Sequence, residues 1–217
     1  VSEVYEADRE EMVNRLVTYG YLRDERIAHA MRKVPRHVFV PVESRRYAYE
    51  DIPLPVGHNQ TISAPHMVAT MCEYLDLKEG QKVLEIGAGT GYHACVVAEI
   101  IAPGEVYAVE RFPSLAEKAK ENLEKAGCQR VKVIVGDGTK GYPEEAPYDR
   151  IYVTAGAPDV PEPLVEQLKE NGRMLIPIGS RYSQELILVI KEKGDVITKN
   201  LGGCAFVPLI GEHGWKE

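Results

Sequence analysis

Several things are missing from this 217-residue sequence, and each absence excludes a class of protein. No two cysteines stand at CxxC spacing, no HExxH occurs, and none of the six histidines lies beside a cysteine pair. A zinc module, a redox dithiol or any other metal site is therefore not expected. Cys72, Cys95, Cys128 and Cys204 are read as reduced and buried. No apolar run approaches the ~20 residues of a membrane helix, so no membrane partner is expected. The opening stretch VSEVYEADREEM carries acids where a secretory signal carries a basic and then an apolar segment. The expectation is a soluble, cytoplasmic monomer. Positive charge is also short: the net charge is −7, which disfavours a nucleic-acid partner. Glycine and proline, at 19 and 14, are too few for a collagen-like or low-complexity chain.

What is present is enough to build a core, with 44% hydrophobic residues and 27% charged. The length favours one domain with an extension. Met12, Val13, Leu16 and Val17 recur at helical spacing behind an acidic turn beginning at Asp8. Asp24 is placed to cap a second helix carrying Ile27, Ala28, Met31 and Val34, stopped by Pro35. Residues 49–65 have no period and read as one long functional loop. From Lys82 the pattern changes. Short apolar strands begin at Lys82, Glu105, Val131, Asp149 and Arg173. Between them lie helical segments over 93–102, 114–126 and 160–171. That alternation predicts βαβ units and a Rossmann-like, mostly parallel twisted sheet with helices on both faces. Strands over 185–191, 196–198 and 204–210 follow without helices, so an antiparallel C-terminal edge is expected. The whole chain, 1–217, reads as a single α/β domain. It comprises a helical extension and active-site loop (1–65), a cofactor-binding core (82–179) and C-terminal strands (184–210).

The sharpest local feature is Leu84-Glu-Ile-Gly-Ala-Gly-Thr-Gly91, between a strand and a helix. Gly87, Gly89 and Gly91 let the chain turn tightly and let a ligand approach the main chain. Their spacing, with Glu85 ahead and Tyr92 behind, breaks the GxGxxG of dinucleotide sites and disfavours a nicotinamide oxidoreductase. Glu110 ends the next strand about 20 residues further on, where an acid accepts hydrogen bonds from a ribose. Asp137-Gly138 ends the third strand. Its carboxylate can accept from an exocyclic amine, and its glycine can pass a flat ring. All of these lie at carboxyl ends of parallel strands, where ligands of open α/β sheets bind.

These motifs resemble those of the S-adenosylmethionine-dependent methyltransferases. A narrower resemblance runs over nearly the whole chain. GHNQTISAPHM (57–67), VLEIGAGTGY, GDGTKGYPEEAPYD and the terminal AFVPL are together similar to the protein-L-isoaspartate O-methyltransferase family. The resemblance implies S-adenosylmethionine as cofactor and isoaspartyl-containing proteins and peptides as partners. The reaction it implies is methylation of the free α-carboxylate of L-isoaspartyl residues. The ester then collapses to a succinimide, whose hydrolysis restores some normal aspartate. By the same resemblance Ser63 is the active-site residue and His66 lines the junction of cofactor and substrate. Thr61, Ile62, Phe206 and Val207 hold the peptide.

The chemistry agrees with what the sequence lacks. A carboxylate is already ionised at neutral pH, so no general base is required. No Ser–His–Asp or Cys–His arrangement stands out. A hydroxyl at Ser63 could donate to one carboxylate oxygen and aim the other. The competing role for Ser63 is to cap the helix that Pro65 opens. Two other functions compete: a methyltransferase of nucleic acid or a small metabolite, and a non-catalytic cofactor-binding module. The strand end Val153-Thr-Ala-Gly-Ala-Pro158 lacks the Asp/Asn-Pro-Pro-Tyr signature of amino-nitrogen methylation.

Overall fold

The computed structural model describes residues 2–217, with side chains from residue 4 onward. Helix α1 is Ser2–Thr18 and α2 is Glu25–Lys33. Asp24 caps α2 by accepting from the Arg26 N–H at 2.8 Å. The helix ends at an extended Val34, because the residue before a proline is pushed out of the helical region. Two short 3-10 turns follow, over 36–39 and 42–47.

The stretch 49–65 is not one open loop. It contains a hairpin of β1 (Leu54–Gly57) and β2 (Gln60–Ile62), with Leu54 opposite Ile62. His58 and Asn59 at its tip have φ of 51° and 56°, the pair of left-handed residues that twists a two-residue turn to match its strands. Strands of four and three residues are too short to show alternation, and the bulge between Pro55 and Gly57 breaks what little there is.

Helix α3 (Pro65–Leu75) leads into the sheet. Its elements are β3 (Lys82–Ile86), α4 (Tyr92–Ile100), β4 (Glu105–Glu110), α5 (Pro113–Lys125), β5 (Val131–Val135), β6 (Tyr148–Val153), α6 (Glu162–Glu166), β7 (Leu168–Gly179), β8 (Gln184–Glu192) and β9 (Asp195–Cys204). Seven strands pair in the order β5-β4-β3-β6-β7-β8-β9. Pairing is parallel as far as β7; β8 and β9 run antiparallel. The order reverses between β3 and β6, so a crevice opens beyond the carboxyl ends of these two strands. Alternation along each strand feeds two cores. Val83, Val106 and Ala108 pack toward α1–α4, while Leu84, Ile86, Tyr107 and Val109 pack toward α6.

Four expectations need correction. The helix over 160–171 is only the five residues of α6, and β7 begins at Leu168. Pairing of Leu168 with Tyr148 claims the segment for the sheet, and Asn171 turns with φ 59° where a helix would continue. The strand over 196–198 is the middle of the ten-residue β9. Residues 204–210 form no strand beyond Cys204, which ends β9. Instead Gly156 donates to the Val207 carbonyl (2.7 Å) and accepts from the Leu209 N–H (2.8 Å). Pro208 has no N–H with which to extend that ladder. Cys95 and Cys128 are not reduced: they form a disulfide, Cα atoms 5.7 Å apart, joining α4 to the turn after α5. Their separation of 33 residues carries no spacing signal; the β4–α5 unit brings them together. Cys72 is buried and free, and Cys204 is free and half-buried.

Candidate active site

The crevice spans about 550 Å³ with the solvent at its open mouth included. Its walls include Thr61 from the hairpin, Gly87 and Gly89 from the loop after β3, Glu110, Gly138 and Val207. An adjoining lobe of about 310 Å³ is lined by Thr61, Ile62, Ser63, Glu85, Tyr92 and His93. Thr61, Gly87, Gly89 and Thr154 face both, so the two lobes adjoin across these residues.

Local backbone chemistry shapes the first lobe. Gly89 has φ 53°, and a Cβ built there would meet nothing within 4 Å, so the main chain faces open space. Its N–H donates to Glu110 Oε2 at 2.9 Å, while Glu110 Oε1 accepts from the Phe112 N–H at 3.0 Å. The Glu110 carboxylate, 5% exposed, is thus held in one orientation with lone pairs left for a ligand. Gly87 must lack a side chain for another reason: a Cβ would collide with Thr154 Oγ1. The Thr154 hydroxyl closes the loop by donating to the Gly87 carbonyl at 2.7 Å.

The other expected cofactor residues divide. Gly138 lines the first lobe. Asp137 faces a separate groove with Arg111 and Trp215. Its Oδ1 accepts from the Thr139 N–H and hydroxyl (2.9 and 2.7 Å), and its Oδ2 from the Glu212 N–H (2.8 Å). Burial alone would raise this carboxyl, but the Glu212 and Thr139 donors hold it below the usual range. Gly91 caps α4 beside Leu123 and lines neither lobe. His66 stands outside both, its N–H and Nδ1 on Asp51 Oδ1 at 2.8 and 2.9 Å.

The second lobe is less satisfied. Ala64, not Ser63, is the N-cap of α3, with Pro65 at the first position and no side-chain capping bond. The half-buried Ser63 hydroxyl is therefore not spent on the helix. Glu85 is 1% exposed, and burial drives its carboxyl well above the ordinary range. Tyr152 opposes that rise and the charge of Glu110 adds to it. Burial also pushes the His93 imidazole down to about 3, so it is neutral. Of the residues expected to hold the peptide, Val207 lines the first lobe and Phe206 lies outside both, anchored by its N–H to Gln184 Oε1 at 2.8 Å. Ser63, Thr61, Ile62, Glu85, Gly87, Gly89, Glu110, Gly138 and Val207 are thus brought together. Asp137, Gly91, His66 and Phe206 are not among the residues lining either lobe.

Thr154, Gln184 and Arg36 escaped the sequence analysis. Thr154 lies in the strand end that was searched only for another signature. Gln184 and Arg36 act on main-chain atoms distant in sequence, which no local pattern announces.

Comparison with known proteins is consistent along the chain. The family model for protein-L-isoaspartate(D-aspartate) O-methyltransferase matches residues 7–214. A Methanopyrus kandleri protein-L-isoaspartate O-methyltransferase is 62% identical, the match covering 99% of this chain and 96% of that protein. The Hyperthermus butylicus protein of the same name is 58% identical over 99% and 93%. Among solved structures, a beta-aspartate methyltransferase from Plasmodium falciparum in complex with S-adenosyl-L-homocysteine superposes with a TM-score of 0.85. It is 29% identical, over 93% of this chain and 98% of that one.

Proposed function

The chain belongs to the protein-L-isoaspartate(D-aspartate) O-methyltransferase family, and from that premise we propose how its own residues carry out the reaction. The protein is an enzyme that methylates isoaspartyl residues from S-adenosylmethionine, the first step of a protein repair.

The first lobe fits the adenosyl end of the cofactor. Glu110 would accept from the ribose hydroxyls, the open face of Gly89 would admit the chain of the ligand, and Gly138 would pass the adenine. Asp137, whose three donors leave one acceptor position free, would have to reach the exocyclic amine from its neighbouring groove. Gly91 and Glu85 support the loop from behind, and His66 contributes from the rim through its pairing with Asp51. When bound, the cofactor supplies a methyl group on a cationic sulfur that is its own activated leaving group.

The protein's remaining task is orientation and exclusion of water. The acceptor carboxylate is ionised near neutral pH and needs no base. This agrees with a second lobe whose histidine is neutral and buried. Ser63 would donate to one carboxylate oxygen and leave the other facing the methyl group. Thr61 and Ile62 on the hairpin, and Phe206 and Val207 opposite, would hold the flanking peptide. The methyl ester then closes to a succinimide without further help. The observation that carries this reading is the adjacency of the two lobes: the loop that fits a cofactor lines both, and Ser63, whose hydroxyl caps no helix, lines the second. The reading includes a monomer acting in the cytoplasm on other proteins, with neither nucleic acid nor membrane as partner. The net charge of −7 supports the exclusion of polyanions, and no helix among the described residues is long and apolar enough to cross a membrane.

Two synthetic peptides of identical sequence, one with L-isoaspartate and one with aspartate, test it. The aspartyl carboxylate sits one carbon further from the chain, and misplacement of about an ångström costs on the order of 10²-fold in rate. The isoaspartyl peptide should therefore be the far better acceptor, and its product should release methanol in base. Equal methylation of both, or a base-stable product, would overturn the acceptor assignment.

A further inference from the structure

Directly behind Ser63 lies a fully buried arginine. Arg36 sits in the turn after Pro35 and is 0% exposed. Its Nε donates to the Ala48 carbonyl at 2.8 Å and its Nη2 to the carbonyl of Ser63 at 2.9 Å. The guanidinium carbon lies 4.8 Å from the centre of the Tyr92 ring, and Tyr92 lines the same lobe as Ser63. Nη1 meets no acceptor in hydrogen-bond geometry among the described residues, although Tyr92 and Asp51 lie close enough to favour the charge. The nearby acid Asp51 is bonded to His66 instead. Burial lowers the pKa of this guanidinium, yet arginine remains protonated at any physiological pH.

A buried cation with an orphan N–H and no carboxylate partner is costly, and bridging two carbonyls does not require a charge. Both features make sense if an anion arrives. We propose that Arg36 is the positioning residue of the acceptor site. It fixes Ser63 through that residue's main chain, and its unpaired charge is the counter-charge awaited by the α-carboxylate of the isoaspartyl acceptor. The inference rests on the isoaspartyl reading given above. Arg36 acts through Ser63 and through its field, so direct contact with the substrate is not needed. Its effect falls on the acceptor and not on the cofactor, which occupies the other lobe.

The test uses the full chain saturated with S-adenosylhomocysteine, so that no turnover occurs. It compares the affinity for an isoaspartyl peptide with that for the same peptide carrying isoasparagine, of equal shape but neutral. Wild type should prefer the charged peptide by about tenfold to 10²-fold, as expected for one charge facing another across a low-dielectric lobe. Arg36→Met should lose most of that preference while S-adenosylhomocysteine binds as in wild type. Arg36→Lys keeps the charge and loses the planar fork. It should keep the preference within about threefold yet methylate the isoaspartyl peptide about tenfold more slowly, because Ser63 is no longer fixed. Should Arg36→Met fail to fold, Arg36→Lys carries the test alone, since a merely structural role would leave its turnover and its preference moving together. A folded Arg36→Met with undiminished preference, or an Arg36→Lys with wild-type turnover, overturns the proposal. A wild type that methylates no isoaspartyl peptide overturns the isoaspartyl reading itself, a separate outcome.

Discussion

The two lobes of the cavity solve opposite problems. In the first lobe, proposed for the cofactor, the polar groups answer one another: Glu110 is held by two main-chain donors and the Thr154 hydroxyl donates to the Gly87 carbonyl. In the second lobe, proposed for the acceptor, and just behind it, Arg36 Nη1, Glu85 Oε2, Tyr92 OH, His93 Nδ1 and Tyr152 OH are buried without hydrogen-bond partners among the described residues. A satisfied network is rigid and ready before the ligand comes, whereas buried polar groups left unanswered cost stability until something pairs with them. The difference teaches where substitutions should act. Changes in the first lobe should appear as lost affinity, and changes in the second as lost turnover or as altered stability.

The largest expected effect breaks the acceptor lobe alone. Ser63→Ala should lower turnover on an isoaspartyl peptide by about 10²-fold, the cost of a misaimed carboxylate. S-adenosylmethionine affinity, measured by calorimetry, should barely move. Because Ala64 caps α3, the melting temperature should also hold; a variant with full turnover and a lower melting temperature would return Ser63 to a structural role.

A smaller effect is expected from the other side. Glu110→Ala removes a charge-assisted acceptor for the ribose and should weaken cofactor binding about tenfold or more. It also frees the N–H of Gly89, so part of the loss comes from a looser loop. Unchanged affinity in a folded variant would refute the ribose assignment and erase the contrast between the lobes.

The smallest effect sharpens the comparison through pH. Glu85 has its folded pKa raised well above 4.5 by burial, so the folded state binds its proton more tightly than the unfolded chain does. Its contribution is greatest below the unfolded value near 4.5 and is lost as pH rises toward the folded one. Glu85→Gln keeps the shape and removes the titration. Its melting temperature should therefore exceed that of wild type by about a few degrees at pH 8 and approach it near pH 4. Parallel melting curves at both pH values would show that Glu85 is not a buried acid.

Legibility followed the range of the interactions. The strand beginning at Lys82, the glycine loop behind it and the acid at Glu110 were readable because each depends on residues a few positions apart. The Asp24 cap was readable for the same reason. The hairpin at 54–62 was not, since its register rests on two left-handed turn residues with none of the usual glycine at the tip. The length of α6 was misjudged because pairing of Leu168 with Tyr148 outweighs helical spacing. Residues 205–210 have the composition of a strand but make only isolated bridges, at Gly156 and at Trp215.

By itself, then, the sequence determined the parallel sheet, its glycine-rich loop and the family of chemistry, because period, turn and motif are local properties of the chain. Only the tertiary structure decided which of those residues share a cavity. It set Gly87 against Thr154, tied Asp137 to the terminal segment, joined Cys95 to Cys128 and laid Arg36 under Ser63. Each of these contacts spans between 27 and 75 positions. Partners that distant meet only when the elements between them have packed, so no window of the sequence contains them.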